Sequence, residues 1–183
     1  MCKPIDKIRI ARAVREILTA IGENPNRDGL IETPGRVARF YEEWATDNGY
    51  NKYTAFYEKY NSMVILNGIP FFSLCEHHIL PFQGRAWIGY IPNKKVLGLS
   101  KFVRILRKHS SRLQIQERIA RGIADDLEKE VKPKGIMIVL EAEHSCMSLR
   151  GVRTPGVFTT TSEIRGAFEK QEVRLEFLTL MKK

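Results

Sequence analysis

Ser73-Leu74-Cys75-Glu76-His77-His78-Ile79-Leu80-Pro81 puts a thiol, a carboxylate and two imidazoles on four successive residues. β-like runs flank it, Ile69 to Leu74 before and Arg85 to Ile91 after, so it reads as a strand end turning into the next strand. Only Glu143-His144-Ser145-Cys146 has comparable chemistry, and it follows the buried-strand run Ile136 to Leu140. The two segments hold three of the four histidines and two of the three cysteines. The expectation is that they converge on one metal ion and that the rest of the chain folds to bring them together.

Working outward, Met63 to Leu66 is a further β-like run, separated from Ile69 by the turn or bulge signal Asn67-Gly68. Val96 to Leu99 is expected to pair back on Arg85 to Ile91 across Pro92-Asn93-Lys94-Lys95. Ser100 reads as the N-cap of a helix over Lys101 to Lys108. From about Leu113 a longer helix is marked by Ile115, Ile119, Ile123, Leu127 and Val131, four apart on one side, and Pro133-Lys134-Gly135 stops it. Val157 to Ile164 reads as a last strand and Val173 to Met181 as a closing helix. The order hairpin, two helices, hairpin is α+β rather than alternating βαβ.

Upstream, Ile5, Ile8, Val14, Ile17, Leu18 and Ile21 make an amphipathic helix, and Thr33-Pro34 starts a second with Thr33 as N-cap and Pro34 at its first position. Asp47-Asn48-Gly49 ends that helix, and Thr54 to Tyr60 is read as one or two more helical turns. Residues 1–62 are thus expected to form a helical N-terminal arm and 63–183 the main domain, which carries both cysteine–histidine segments.

The 183 residues suit one core with an appendage. No apolar run approaches the roughly 20 residues that cross a bilayer, and the first residues lack a signal-peptide pattern. An odd cysteine count argues against a disulfide framework and for a reducing, cytoplasmic setting. The net charge of +9 calls for an anionic partner. The basic residues are scattered, without the aromatic interleaving of a single-strand binder, which weakens a nucleic-acid reading.

Thiolate and imidazole ligands in tetrahedral array are what zinc takes, and a catalytic zinc keeps one position open. Cys75 and His78, three apart, can be aimed at one ion by a tight turn, with Cys146 as a third ligand from another strand. A structural site would need a fourth ligand, for which His77 or His144 is available. In the catalytic version those two histidines stand beside the metal, suited to proton transfer near neutral pH. His109, on a basic helix, is expected at the surface. Glu117 beside Gln116 offers acceptors for the N1–H and N2–H edge of guanine. Ser100, Lys101 and Arg104 at a helix start, with Arg150 past Cys146, suit phosphate groups. Arg36 reads either as a solvated arginine or as a phosphate contact.

Cys75-Glu76-His77-His78, Gly98-Leu99-Ser100-Lys101, Gln114-Ile115-Gln116-Glu117-Arg118 and His144-Ser145-Cys146-Met147, then Arg150-Gly151, occur in this order. Together they resemble the signature of GTP cyclohydrolase I of the zinc-dependent type, from about Thr33 to the C-terminus. The resemblance implies a tunnelling fold, a ββααββ core whose antiparallel sheet carries helices on one face, assembled into a decameric ring with active sites at subunit interfaces. It implies Zn2+ on Cys75, His78 and Cys146, and acid/base roles for His77 and His144. Glu117, with Gln116, would read guanine; Ser100 would line the ribose and phosphate pocket; Lys101, Arg104, Arg150 and Arg36 would meet the triphosphate. The implied reaction converts GTP and water to 7,8-dihydroneopterin triphosphate and formate, the first step of pterin, folate or 7-deazaguanine synthesis.

Three other readings compete. A zinc-stabilised nucleic-acid-binding module would account for the charge, but leaves the extra histidines unused and lacks a second Cys-x2-Cys pair. A nucleobase deaminase would need His-x-Glu and Pro-Cys-x-x-Cys, which are absent. A non-catalytic or reductase member of the superfamily would not need the full zinc-ligand set.

Overall fold

Asp6 caps the first helix, α1 (Lys7–Ala20): its carboxylate accepts the Arg9 N–H at 3.0 Å, satisfying a donor that the helix itself leaves unpaired. A second helix, α2 (Thr33–Thr46), takes in Thr33 as a helical residue rather than as its cap. The computed structural model describes residues 4–46 and 54–181. The chain divides into two units, residues 1–47 and 48–183. The expected helix end at Asp47-Asn48-Gly49 lies outside the described residues. In the first unit α1 and α2 pack on each other, with Leu18, Ala38 and Trp44 buried.

The second unit carries two sheets. Ala55–Tyr57 is a strand, β1, where helical turns were expected. It pairs antiparallel with β4 (Lys95–Leu97), so Val96 and Leu97 pair with this strand and not back on the preceding one. Phe56 and Tyr57, aromatic residues of high strand preference, carry that outcome.

The main sheet has the order β5-β2-β3-β6-β7, from β2 (Val64–Cys75), β3 (Pro81–Ile91), β5 (Leu113–Gln114), β6 (Gly135–His144) and β7 (Phe158–Gly166). All neighbours are antiparallel except β2 and β5. Asn67-Gly68 is a bulge inside β2, with Gly68 at φ 66°. Between the two hairpins lie α3 (Leu99–Ser110) and α4 (Gln116–Val131). Gly98, not Ser100, is the N-cap of α3, and Leu113-Gln114 is a strand, so α4 starts at Gln116. The chain order is the expected ββααββ.

Strand alternation sorts the two faces. Ile136, Ile138, Leu140 and Ala142 join Ala86, Ile88 and Tyr90 under Phe102, Ile105, Ile119, Ile123 and Leu127 of the two core helices. Met137 and Val139 point the other way, onto Phe168 and Phe177. Phe177 belongs to the closing helix α6 (Gln171–Met181), so the two core helices share one face while α6 covers part of the other. Each fully buried aliphatic or aromatic side chain contributes roughly 1.5–3 kcal/mol relative to exposure, which makes this two-sided pattern the main determinant of register. His144 continues the Ala142 row and therefore lies on the helix face.

Candidate active site

The end of β2 forms the first half of the site. Cys75 is buried, and its carbonyl accepts the N–H groups of His78 (3.4 Å) and Ile79 (2.8 Å), while its own N–H donates to Leu80 O at 2.8 Å. These bonds close a tight turn between β2 and β3, with Ile79 in the left-handed region at φ 55°. A β-branched residue there is strained, so the turn is held by its hydrogen bonds rather than by local preference.

The second half arrives on β6. Phe82 pairs with Ser73 on one side and with His144 on the other, which puts Cys75 and His144 at the same end of the sheet. After His144 the chain turns into a single helical turn, α5 (Ser145–Ser148), carrying Cys146. The ligand atoms of Cys75, His78 and Cys146 lie within 4.8 Å of one another, the one such group of three or more among the described residues. His78 Nδ1 is 3.9 Å and His77 Nδ1 3.6 Å from Cys75 Sγ. His77 and His78 are exposed, while Cys146 and His144 are half-buried.

Electrostatics favours a cation here. Burial, then the neighbouring Cys75, pushes the Cys146 thiol up, against a smaller opposing pull from Arg150. A divalent ion would reverse that shift by taking the Cys146 sulfur as a thiolate. Two sulfurs and one imidazole suit Zn2+ with one position left open. Arg150 Nη1 donates to His78 Nε2 at 2.9 Å. Coordination through Nδ1 would leave the hydrogen on Nε2, so that arginine contact and an Nδ1-bound ion exclude each other.

The β5–α4 junction reaches the same end. Glu76 N–H donates to Gln114 O at 3.1 Å, and Arg118 grips the Glu76 carboxylate with both terminal nitrogens at 2.6 and 3.3 Å. Arg118 Nη1 also donates to Gln114 Oε1 at 3.3 Å. The Arg118 bond holds the Glu76 carboxyl below its usual range. Glu76 thus ties the ligand turn to the first turn of α4.

Gln116 is buried. Its Nε2 donates to Leu140 O (3.0 Å), Thr159 O (2.9 Å) and Thr161 Oγ1 (3.1 Å), and its Oε1 lies 2.9 Å from His144 Nε2. Phe82 stacks on His144 with ring centroids 4.5 Å apart and planes 5° from parallel. Burial lowers the pKa of His144, and the charge of Glu117 opposes that shift. Glu117 is exposed in the first turn of α4, on the side where its field reaches His144.

Arg150 is the expected phosphate residue that lies at the cluster. Ser100, Lys101 and Arg104 sit in the first turns of α3, whose other end meets the site through Ser73 Oγ donating to Arg112 O (3.0 Å) and Gln114 Nε2 to His109 O (3.0 Å). α3 is about 18 Å long at 1.5 Å per residue, and these contacts join its C-terminal end, not its start, to the site. Arg36, in the first unit, is exposed and paired with Glu32 at 2.7 Å. His109 is not a surface residue: it is half-buried, 2.9 Å from Asp126, which also takes Lys108 at 2.7 Å.

The GTP cyclohydrolase I family model matches residues 10–182. A GTP cyclohydrolase 1 of Aquifex aeolicus is 53% identical over 180 residues, 97% of this chain and 98% of that protein. One from a Sulfurihydrogenibium species is 52% identical over 97% of this chain and 96% of its own length. The chain belongs to the GTP cyclohydrolase I family. Among solved structures, the apo form of the archaeosine synthase QueF-Like aligns at TM-score 0.48 and 19% identity, over 60% of this chain and 98% of that one. Membership of an enzyme family, over nearly the whole chain, supports the cyclohydrolase reading and not the nucleic-acid-binding module. No described helix is long and apolar enough to cross a membrane.

Proposed function

We propose that this chain is a zinc-dependent GTP cyclohydrolase I, opening the guanine imidazole ring of GTP, releasing C8 as formate and closing the product as 7,8-dihydroneopterin triphosphate. The observation that carries the reading is the meeting of Cys75, His78 and Cys146 with His144 at one end of the sheet, beside Glu117. Cys75, His78 and Cys146 would hold the ion. A bound Zn2+ supplies Lewis acidity that makes water a competent nucleophile near neutral pH. Glu117 accepts N1–H and N2–H of the base and so aims C8 toward the ligand cluster, a positioning effect as well as a binding one. His144 gives a proton to N7 as the ring opens, and exposed His77 serves the later proton transfers.

Arg150, beside His78, and the α3 group Ser100, Lys101 and Arg104 are assigned to ribose and triphosphate, with Arg36 as a further arginine for it. Because α3 joins the site by its C-terminal end and not its start, the α3 group serves a neighbouring copy's cluster, which supports an active site shared between subunits of a homo-oligomeric, decameric ring. The free thiols of Cys75 and Cys146 fit a reducing, cytoplasmic setting. Incubating zinc-loaded protein with GTP, and following formate with the dihydroneopterin absorbance, tests the proposal. Neither product with any divalent metal overturns it.

A further inference from the structure

We infer that Gln116 acts through His144 as a positioning residue, fixing the ring as its Nε2–H form so that the proton exchanged with substrate is carried on Nδ1. The inference rests on the proposed cyclohydrolase reading for its chemistry, but its structural content stands on the hydrogen bonds alone.

The orientation of the Gln116 amide is forced. Nε2 faces two backbone carbonyls, Leu140 O and Thr159 O, at 3.0 and 2.9 Å. Carbonyl oxygens only accept, so the NH2 end must face them; the reversed amide would set oxygen against oxygen twice. The two donors of Nε2 are thereby spent, with Thr161 Oγ1 as a third neighbour at 3.1 Å. Oε1 is left facing His144 Nε2 at 2.9 Å, and an amide oxygen can only accept. His144 Nε2 must therefore carry a hydrogen. In the neutral ring the lone pair is then on Nδ1.

Two contacts lock the imidazole in different senses. The parallel Phe82 face sets the ring plane, and the Gln116 bond selects between the two flips about Cβ–Cγ, because the other flip presents carbon to Oε1. Both partners are rigid: Phe82 pairs with His144 across the sheet, and Gln116 is pinned to β6 and β7 at once. With Nε2–H held by Gln116, Nδ1 is the ring atom left to exchange a proton with N7. The Gln116 side chain does not read the base, since its Nε2 and Oε1 are both engaged inside the chain.

The test uses zinc-loaded protein labelled with 15N-histidine, read by solid-state spectroscopy above the titration of the ring. The four histidines are separated by subtracting the spectrum of His144→Ala. His144 is expected to show a protonated Nε2 and an unprotonated Nδ1. Gln116→Met, near in volume but without the bonds, is expected to lose that single signature. Its kcat should fall about 100-fold, the low end of what proton-transfer groups contribute, with KM for GTP changed by less than about twofold. A protonated Nδ1 in the wild type overturns the inference even if Gln116→Met does not fold. A raised KM with kcat retained overturns it too, by returning Gln116 to base recognition. Wild-type protein that shows the expected signature but no GTP turnover refutes the enzymatic reading and leaves the tautomer assignment standing.

Discussion

At the scale of single residues, the adjacent groups of Cys75-Glu76-His77-His78 divide their work. Cys75 and His78 belong to the ligand cluster, and Glu76 is spent on Arg118. Arg118→Ala should free the ligand turn from α4 and weaken zinc affinity about tenfold, the lower range for outer partners of metal ligands; competition with a chromogenic chelator measures it. Unchanged affinity would mean that the turn is held by its backbone bonds alone. His144→Ala should keep one zinc per chain by elemental analysis and release formate at least about 100-fold more slowly. The grouping of Cys75, His78 and Cys146 was legible because sulfur and imidazole at a strand end have few other uses. The engagement of Gln116 was not, since it depends on which carbonyls β6 and β7 present after folding. An amide next to a carboxylate carries no mark of that in sequence.

At the scale of elements, the apolar run Ile136 to Leu140 and the four-residue spacing along α4 foretold both partners of the main core. What failed was pairing. Lys95–Leu97 joins Ala55–Tyr57, about 40 residues earlier, and short strands of that kind choose partners by tertiary contact. The α3–α4 clasp was hidden in the same way, although one signal was present. Gly122 and Asp126 are four apart on α4, and a Cβ on Gly122 would stand 2.4 Å from His109 Nδ1. That pair forms a notch with a carboxylate at its rim, suited to a large cationic or polar ring. Burial would raise the Asp126 pKa, but the bonds from His109 and Lys108 outweigh it and the net shift is downward. A depressed carboxyl stabilises the fold above its unfolded pKa of about 3.9 and loses that contribution as pH falls through the folded value. Asp126→Asn should therefore lower Tm by about 2–4 °C at neutral pH, corresponding to about 1 kcal/mol for a chain of this size, and the difference should close below about pH 4. A gap that persists unchanged in acid would show that the clasp is held by packing.

At the scale of the whole molecule, the ββααββ order and the meeting of the two cysteine–histidine segments were readable from sequence, whereas the placement of the α3 start was not. Only the fold reveals that α3 joins the site by its C-terminal end, not its start. If Lys101 and Arg104 serve a neighbouring copy, a Cys75→Ser chain and a Lys101→Ala chain, each inactive alone, should recover activity when co-assembled. Absence of recovery in verified mixed oligomers would place both half-sites within one chain. The central claim is that formate leaves GTP at the Cys75–His78–Cys146 centre. Titrating metal-free protein with Zn2+ while measuring formate from GTP tests it most directly. Turnover should rise linearly to one zinc per chain and then plateau, and be abolished in Cys146→Ser. Formate release at full rate without bound metal, or in Cys146→Ser, would contradict it.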